Sequence, residues 1–276
     1  MARVLIPLPD QDFDVTEVAV PWRTLKDAGH EVVFATEEAG TLPAGDPRLL
    51  TGVLFGQLGA EPEPKRFYDE LTAAREFRSS VGWRDIEPGA FDALLLPGGH
   101  APGMRQYLGS SLLHNKVAAF WALERLVGAI CHGVLVLARA KENGCSVLYD
   151  RQTTCLPKYL ERLAYYSTAW RLGRYYRTYA AYVEDEVRAA LRQPTRQFQR
   201  GPISWGARDS QADLSPSFVV EDRNYLSARW PGDAYAFSRR FIEKLDGATR
   251  SHRTAQSPAR GGSDAGCGWP APPARA

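Results

Sequence analysis

Short, uninterrupted apolar runs alternate with stretches of helical period through the first half of the chain. Arg3 to Pro9 (RVLIPLP), His30 to Thr36 (HEVVFAT), Phe91 to Pro97 (FDALLLP) and Leu126 to Ile130 (LVGAI) have the length and apolar character of strands buried on both faces. A helix is expected after Thr16, because Val18, Pro21, Trp22 and Leu25 share one face and Gly29 supplies a C-terminal stop. Further helices are expected over Lys65 to Phe77, Leu112 to Glu124 and from Val134 onward. Strand, helix and strand in that order imply a parallel sheet, with ligands beyond the carboxyl ends of its strands. The stretch Ala39 to Pro64 is rich in Gly and Pro, has no sustained period, and is an irregular excursion.

Downstream, Cys145 to Tyr149 is a short strand candidate, and Tyr159 to Leu191 is dense in Tyr, Trp and Arg at helical spacing. Helices packed against the domain, with arginines reaching past the rings to water, account for that composition better than a nucleic-acid surface does. Thr195 to Ala212 is polar loop. Ser217 to Glu221 and Tyr225 to Arg229 form a hairpin-like pair, and Asp233 N-caps a last helix to about Leu245. From residue 246 to 276 aliphatic content is almost confined to alanine, which predicts a disordered tail containing Cys267.

The candidate chemistry lies in the turn after Leu126 to Ile130. Cys131, His132 and Gly133 connect that strand to the next helix, and A-x-C-x-G has the physical logic of a nucleophile elbow. Small flanking residues permit a sharp turn that lifts the side chain above the sheet. The following helix offers free N–H groups and a positive dipole end, which would poise the thiol as a thiolate. Gly98, Gly99 and His100, at the end of the preceding strand, let backbone approach a ligand closely and supply N–H groups to an oxyanion. Glu17, opening the first helix, lies at the same end of the sheet.

Lys and Arg number 34 against 32 Asp and Glu, so no net field selects nucleic acid or an anionic membrane as partner. An apolar fraction of 44% over 276 residues is ample for one large α/β core. Four cysteines without a C-x-x-C pair give neither a disulfide framework nor a structural zinc site. The N-terminal run is short and followed by acids, unlike a signal peptide, and no segment has the length of a membrane span. A cytoplasmic location is expected.

Glu17, the LLLPGG loop at Leu94 to Gly99, the AICHG elbow at Ala129 to Gly133 and the hairpin followed by WPGDAYAF together resemble the ThiJ/PfpI superfamily, with its class I glutamine amidotransferase-like fold. The resemblance covers residues 1 to 245 and implies an α/β, flavodoxin-like parallel-sheet three-layer sandwich, with helical insertions at about 40–88 and 158–192. It also implies roles. Cys131 matches the nucleophile, Glu17 the acid bonded to its sulfur, and His132 the adjacent histidine. Gly99 matches the loop residue whose N–H faces the substrate oxygen, with Gly98, His100 and Gly133 as further substrate-binding positions. Glu161, after Pro157, occupies the neighbourhood of the acid that completes a Cys-His-acid triad in some members.

The activity implied is cofactor-independent, metal-free turnover of small reactive carbonyls, similar to the glyoxalase III branch that converts methylglyoxal to lactate. The partners implied are a small-molecule electrophile and a second copy of the chain in a homodimer. Alternatives within the same resemblance are a stress-response chaperone, a cysteine redox sensor, an isonitrile hydratase, and a peptidase or amidase. A glutamine amidotransferase proper is disfavoured, since its later His-x-Glu pair is missing and the only histidine after His132 is His252, in the tail.

Overall fold

The computed structural model describes residues 1–56, 58–177 and 179–256, with side chains described to residue 248. Seven strands form the main sheet: β1 (Arg3–Pro7), β2 (Glu31–Thr36), β3 (Val81–Gly82), β4 (Ala93–Leu96), β5 (Leu126–Ile130), β6 (Val219–Asp222) and β7 (Tyr225–Ala228). Their spatial order is β6-β7-β5-β4-β1-β2-β3. Every neighbouring pair is parallel except β6 with β7, the expected hairpin, which closes one edge antiparallel. Central strands β4 and β5 are buried along their whole length, as continuous apolar runs require when both faces are covered.

The covering helices complete a flavodoxin-like three-layer sandwich. On one face, α1 (Val15–Asp27) packs against α2 (Pro62–Ala73) and against the final helix. On the other lie α3 (Met104–Gly109), α4 (Ser111–Trp121) and α5 (Val134–Arg139), with α5 packed against both of the others. The last helix sits close over β5, because Gly128 leaves room for the Phe237 and Phe241 rings; a Cβ there would lie 2.7 Å from Phe241. Among the described residues no helix is long and apolar enough to cross a membrane.

Three expectations need correction. The aromatic segment forms α6 (Lys158–Leu172) and α7 (Val183–Ala189), but α6 buries only Leu160, Glu161 and Thr168. Its Leu163, Tyr166 and Trp170, spaced to share one face, are exposed. These rings find local partners instead of the core: Arg162 lies over Tyr166, and Trp170 stacks on Phe55 of the first excursion. The short strand near Cys145 pairs only with Lys141–Glu142, outside the main sheet. The final helix, α8, runs Ala234–Gln256, past the end expected near Leu245, so the tail expected from residue 246 begins as helix. Residues 257–276, including Cys267, lie outside the described residues.

Candidate active site

β1 is flanked by β2 on one side and β4 on the other, so the chain reverses its winding direction between β1 and β4. Ligands of open α/β sheets bind outside the strand ends at such a point. The loops leaving β1, β4 and β5 deliver Glu17, Gly98 to His100, and Cys131 with His132 to it.

The elbow is geometrically tight. Cys131 has φ 57°, a left-handed conformation costly for a non-glycine residue and here imposed by the strand before it and the turn after it. Gly133 is required by close approach: a Cβ on it would lie 2.1 Å from the Leu96 carbonyl oxygen. Cys131 is 1% exposed and His132 2%, so the pair is sealed. The sulfur lies 3.4 Å from His132 Nδ1.

Glu17 is placed by helix capping. Asp14 is the N-cap of α1, its Oδ1 accepting from the backbone N–H of Thr16 (2.8 Å) and Glu17 (3.1 Å). The sequence D-V-T-E thus has the spacing of a capping box, with Glu17 in the position whose side chain ordinarily turns back to the cap. Here it reaches across to the β4 loop, where its Oε2 accepts the Gly98 N–H at 2.7 Å, while the Asp14 N–H donates to the Gly98 carbonyl at 2.9 Å. Gly98 therefore locks α1 to the loop, and its N–H is spent on Glu17. The expectation that it would serve an oxyanion is corrected. It must be glycine, since a Cβ would lie 2.6 Å from the His132 nitrogen and 2.9 Å from Glu17 Oε2. Gly99 is equally confined, between Asp12, Asp14 and Met104.

Electrostatics overturn the expected thiolate. Burial pushes the Cys131 thiol well above its usual range, and the Glu17 and Asp14 charges add to that; the N–H of His132 pulls it back only in part. Burial likewise drives Glu17 well above the usual carboxylate range, helped by Asp14, and holds Asp14 itself at about 6. It pushes His132 down, and His100 down to about 4. The sealed site thus holds a thiol, a carboxyl that keeps its proton more tightly than usual, and two neutral imidazoles. The helix dipole and N–H groups named above are too weak to offset complete desolvation.

The two excursions meet over this site. From the second come Tyr175 and Tyr176, whose hydroxyls donate to Asp46 of the first at 3.1 and 3.0 Å. Asp46 is 2% exposed and also caps the short helix Pro47–Thr51. The Tyr176 ring lies against His100, centroids 5.9 Å apart, and His100 against His132 at 4.4 Å. Neither Asp46 nor the tyrosines were singled out from sequence, nor Tyr107, a fully buried phenol raised by burial and by the Glu17 charge. Tyr176→Phe keeps the ring and removes one bond to a buried carboxylate, a loss of about 1–2 kcal/mol. Cys131 in that variant is expected to react with iodoacetamide several-fold to about thirtyfold faster, the Boltzmann factor of that loss. An unchanged labelling rate would show that Tyr176 does not control access.

Glu161 is not the orienting acid. Its carboxylate accepts from the Arg177 guanidinium at 3.1 Å and from the Val183 N–H at 2.9 Å, tying α6 to α7, and the described contacts of His132 do not include it. Burial raises it from the usual 4.5 to about 7, with Arg177 and the Val183 N–H lowering it and Asp185 raising it. Because the folded state holds the proton more tightly than the unfolded chain, this contribution favours folding below pH 4.5 and is lost as pH rises to about 7. Glu161→Gln is expected to flatten that decline in urea midpoints measured between pH 4.5 and 7; an identical slope in both proteins would remove Glu161 as its source.

Comparison with known proteins agrees with this architecture. Glyoxalase III of Candida albicans superposes with a TM-score of 0.62 at 16% identity, over 88% of this chain and 96% of that one. The deglycase PfpI of Pyrococcus furiosus is 26% identical over 238 residues, 86% of this chain and 96% of the relative. An uncharacterised protein of Schizosaccharomyces pombe is 30% identical over 185 residues, 64% of this chain and 67% of its own length. Residues 8–202, which carry Glu17, Gly98 and Cys131 on their three loops, match the family model described as ThiJ/PfpI family-like, and the chain belongs to that family.

Proposed function

We propose that this protein is a cysteine-dependent enzyme acting on small reactive carbonyls, with Cys131 as nucleophile and Glu17 as acid and base. The observation that carries the reading is the Glu17 carboxyl, fixed by Gly98 and buried beside the Cys131 sulfur at the switch point of the sheet. Relatives bearing the names deglycase and glyoxalase III support the substrate class.

Attack of the sulfur on an aldehyde carbon forms a C–S bond, and the carbonyl oxygen takes a proton to give a hemithioacetal. Glu17 then moves the proton on that carbon to its neighbour, converting an α-oxoaldehyde adduct into a thioester. Water cleaves the thioester, releasing the 2-hydroxy acid and the free thiol. An adduct of the same aldehyde with an amine or thiol enters this route once that group has left. The cap of Asp46, Tyr175 and Tyr176 opens to admit substrate, and rehydration of the sulfur on opening favours its ionisation. Closure afterwards keeps water from the proton-transfer step.

The test is lactate formation from methylglyoxal without glutathione, by chelator-treated protein, with Cys131→Ser alongside. Lactate from the wild type alone supports the reading. Equal rates in both proteins, or none in either across glyoxal, methylglyoxal and their thiol adducts, overturn it.

A further inference from the structure

We infer that His100, Cys131 and His132 form a binding site for one thiophilic divalent cation, of which Zn2+ is the type. One donor atom from each lies within 4.8 Å of the other two. A tetrahedral zinc with Zn–S of about 2.3 Å and Zn–N of about 2.0–2.1 Å keeps its donors roughly 3.5 Å apart. Cys131 Sγ and His132 Nδ1, at 3.4 Å, already have that spacing. His100, whose donor nitrogen lies no more than 4.8 Å from the other two donor atoms, is the member that closes on the ion.

The donor set suits the ion. Two imidazoles and one thiolate are the borderline-soft combination that selects zinc over magnesium or calcium. All three residues stand at the carboxyl ends of the adjacent strands β4 and β5, whose loops are fixed by the absence of space at Gly98 and Gly133. A second observation points the same way. The Glu17 carboxyl is fully buried, with one oxygen held by Gly98 and the carboxyl in hydrogen-bonding reach of the Cys131 side chain, so it borders the cluster. A carboxyl bordering the cluster can accept from a water in the fourth place. His100, the one partly exposed member, marks the side from which an ion enters.

Binding exchanges the thiol proton for the metal: Cys131–SH and Zn2+ give Cys131–S–Zn+ and H+. The sulfur lone pair that would attack a carbonyl is then engaged, so metal binding and covalent chemistry exclude each other. The inference does not rest on the carbonyl reading.

Its test uses the full chain with Cys145→Ser and Cys267→Ser, removing one exposed thiol and one in the tail, reduced with a phosphine. Zn2+ is titrated in competition with a chromophoric chelator. One equivalent is expected to bind, with affinity falling at least about tenfold in His100→Ala and more in Cys131→Ser, each checked for an unchanged far-ultraviolet spectrum. Co2+ in place of Zn2+ is expected to give tetrahedral d–d bands and thiolate charge transfer, the latter vanishing in Cys131→Ser. No competition with the chelator, or binding unaltered in both variants, overturns the site; a protein that still converts methylglyoxal would then keep the proposed function while losing this one.

Discussion

Cys131→Ser is expected to lower kcat/KM for methylglyoxal by at least about a thousandfold, and Glu17→Gln by about 10²–10⁴. Serine fits the elbow: it adds no branch at Cβ and tolerates the left-handed φ of 57°, so the loss reports on the nucleophile and not on folding. Glutamine keeps an oxygen for the Gly98 N–H, which Glu17 Oε2 now accepts at 2.7 Å, and so keeps the bridge between α1 and the β4 loop. What it loses is a proton that can be given and retaken. The two variants therefore separate steps. Cys131→Ser should form no covalent adduct, whereas Glu17→Gln should accumulate the hemithioacetal, visible as added mass on the intact protein. Unimpaired lactate formation by Glu17→Gln would remove the carboxyl from proton transfer.

Asp233→Asn is expected to cost about 3–5 kcal/mol, because it leaves a fully buried guanidinium without its counter-charge. Arg229 and Asp233 have no exposed surface, and Asp233 receives two Arg229 side-chain bonds at 2.9 and 2.8 Å. It also accepts the backbone N–H of Arg229 and of Phe218, each at 3.0 Å, while Arg229 reaches the carbonyls of Pro202 and Pro216. This cluster pins the β6–β7 edge, the preceding loop and the start of α8 together. The melting temperature should fall on the order of 10 °C for a chain of this size. Replacing both partners with apolar residues should recover part of that, and only part, since two backbone N–H groups would still lack an acceptor. A drop below about 1 kcal/mol would show that the pair is structurally dispensable.

The sheet and the elbow were legible because each rests on a local pattern. Apolar runs of strand length mark β1, β2, β4 and β5, and A-x-C-x-G marks the turn. Glu17 was legible from its position, though the capping signature at Asp14 that orients it was not used. What a glycine pair cannot reveal is its partner: Gly98 and Gly99 announce close approach, and only the fold shows that Gly98 faces Glu17. Glu161 follows its proline as a triad acid would, yet Arg177, sixteen residues later, engages it. The protonation state of Cys131 was misjudged by weighing a helix dipole without the desolvation that exceeds it. The Asp46 and Tyr176 contact, across 130 residues of chain, leaves no periodicity or spacing to find.

That contact makes the two excursions a single unit of exchange. Asp46, Phe55 and Arg48 belong to one, and Tyr175, Tyr176 and Trp170 to the other, and each set contacts its opposite number. A chimaera that imports residues 158–192 from a relative without residues 40–88 would leave Asp46, buried, with the Arg48 N–H but without its two tyrosine hydroxyls. Substrate range in this protein should accordingly be re-engineered by transplanting both segments together, and a library that diversifies one alone will be dominated by misfolded caps.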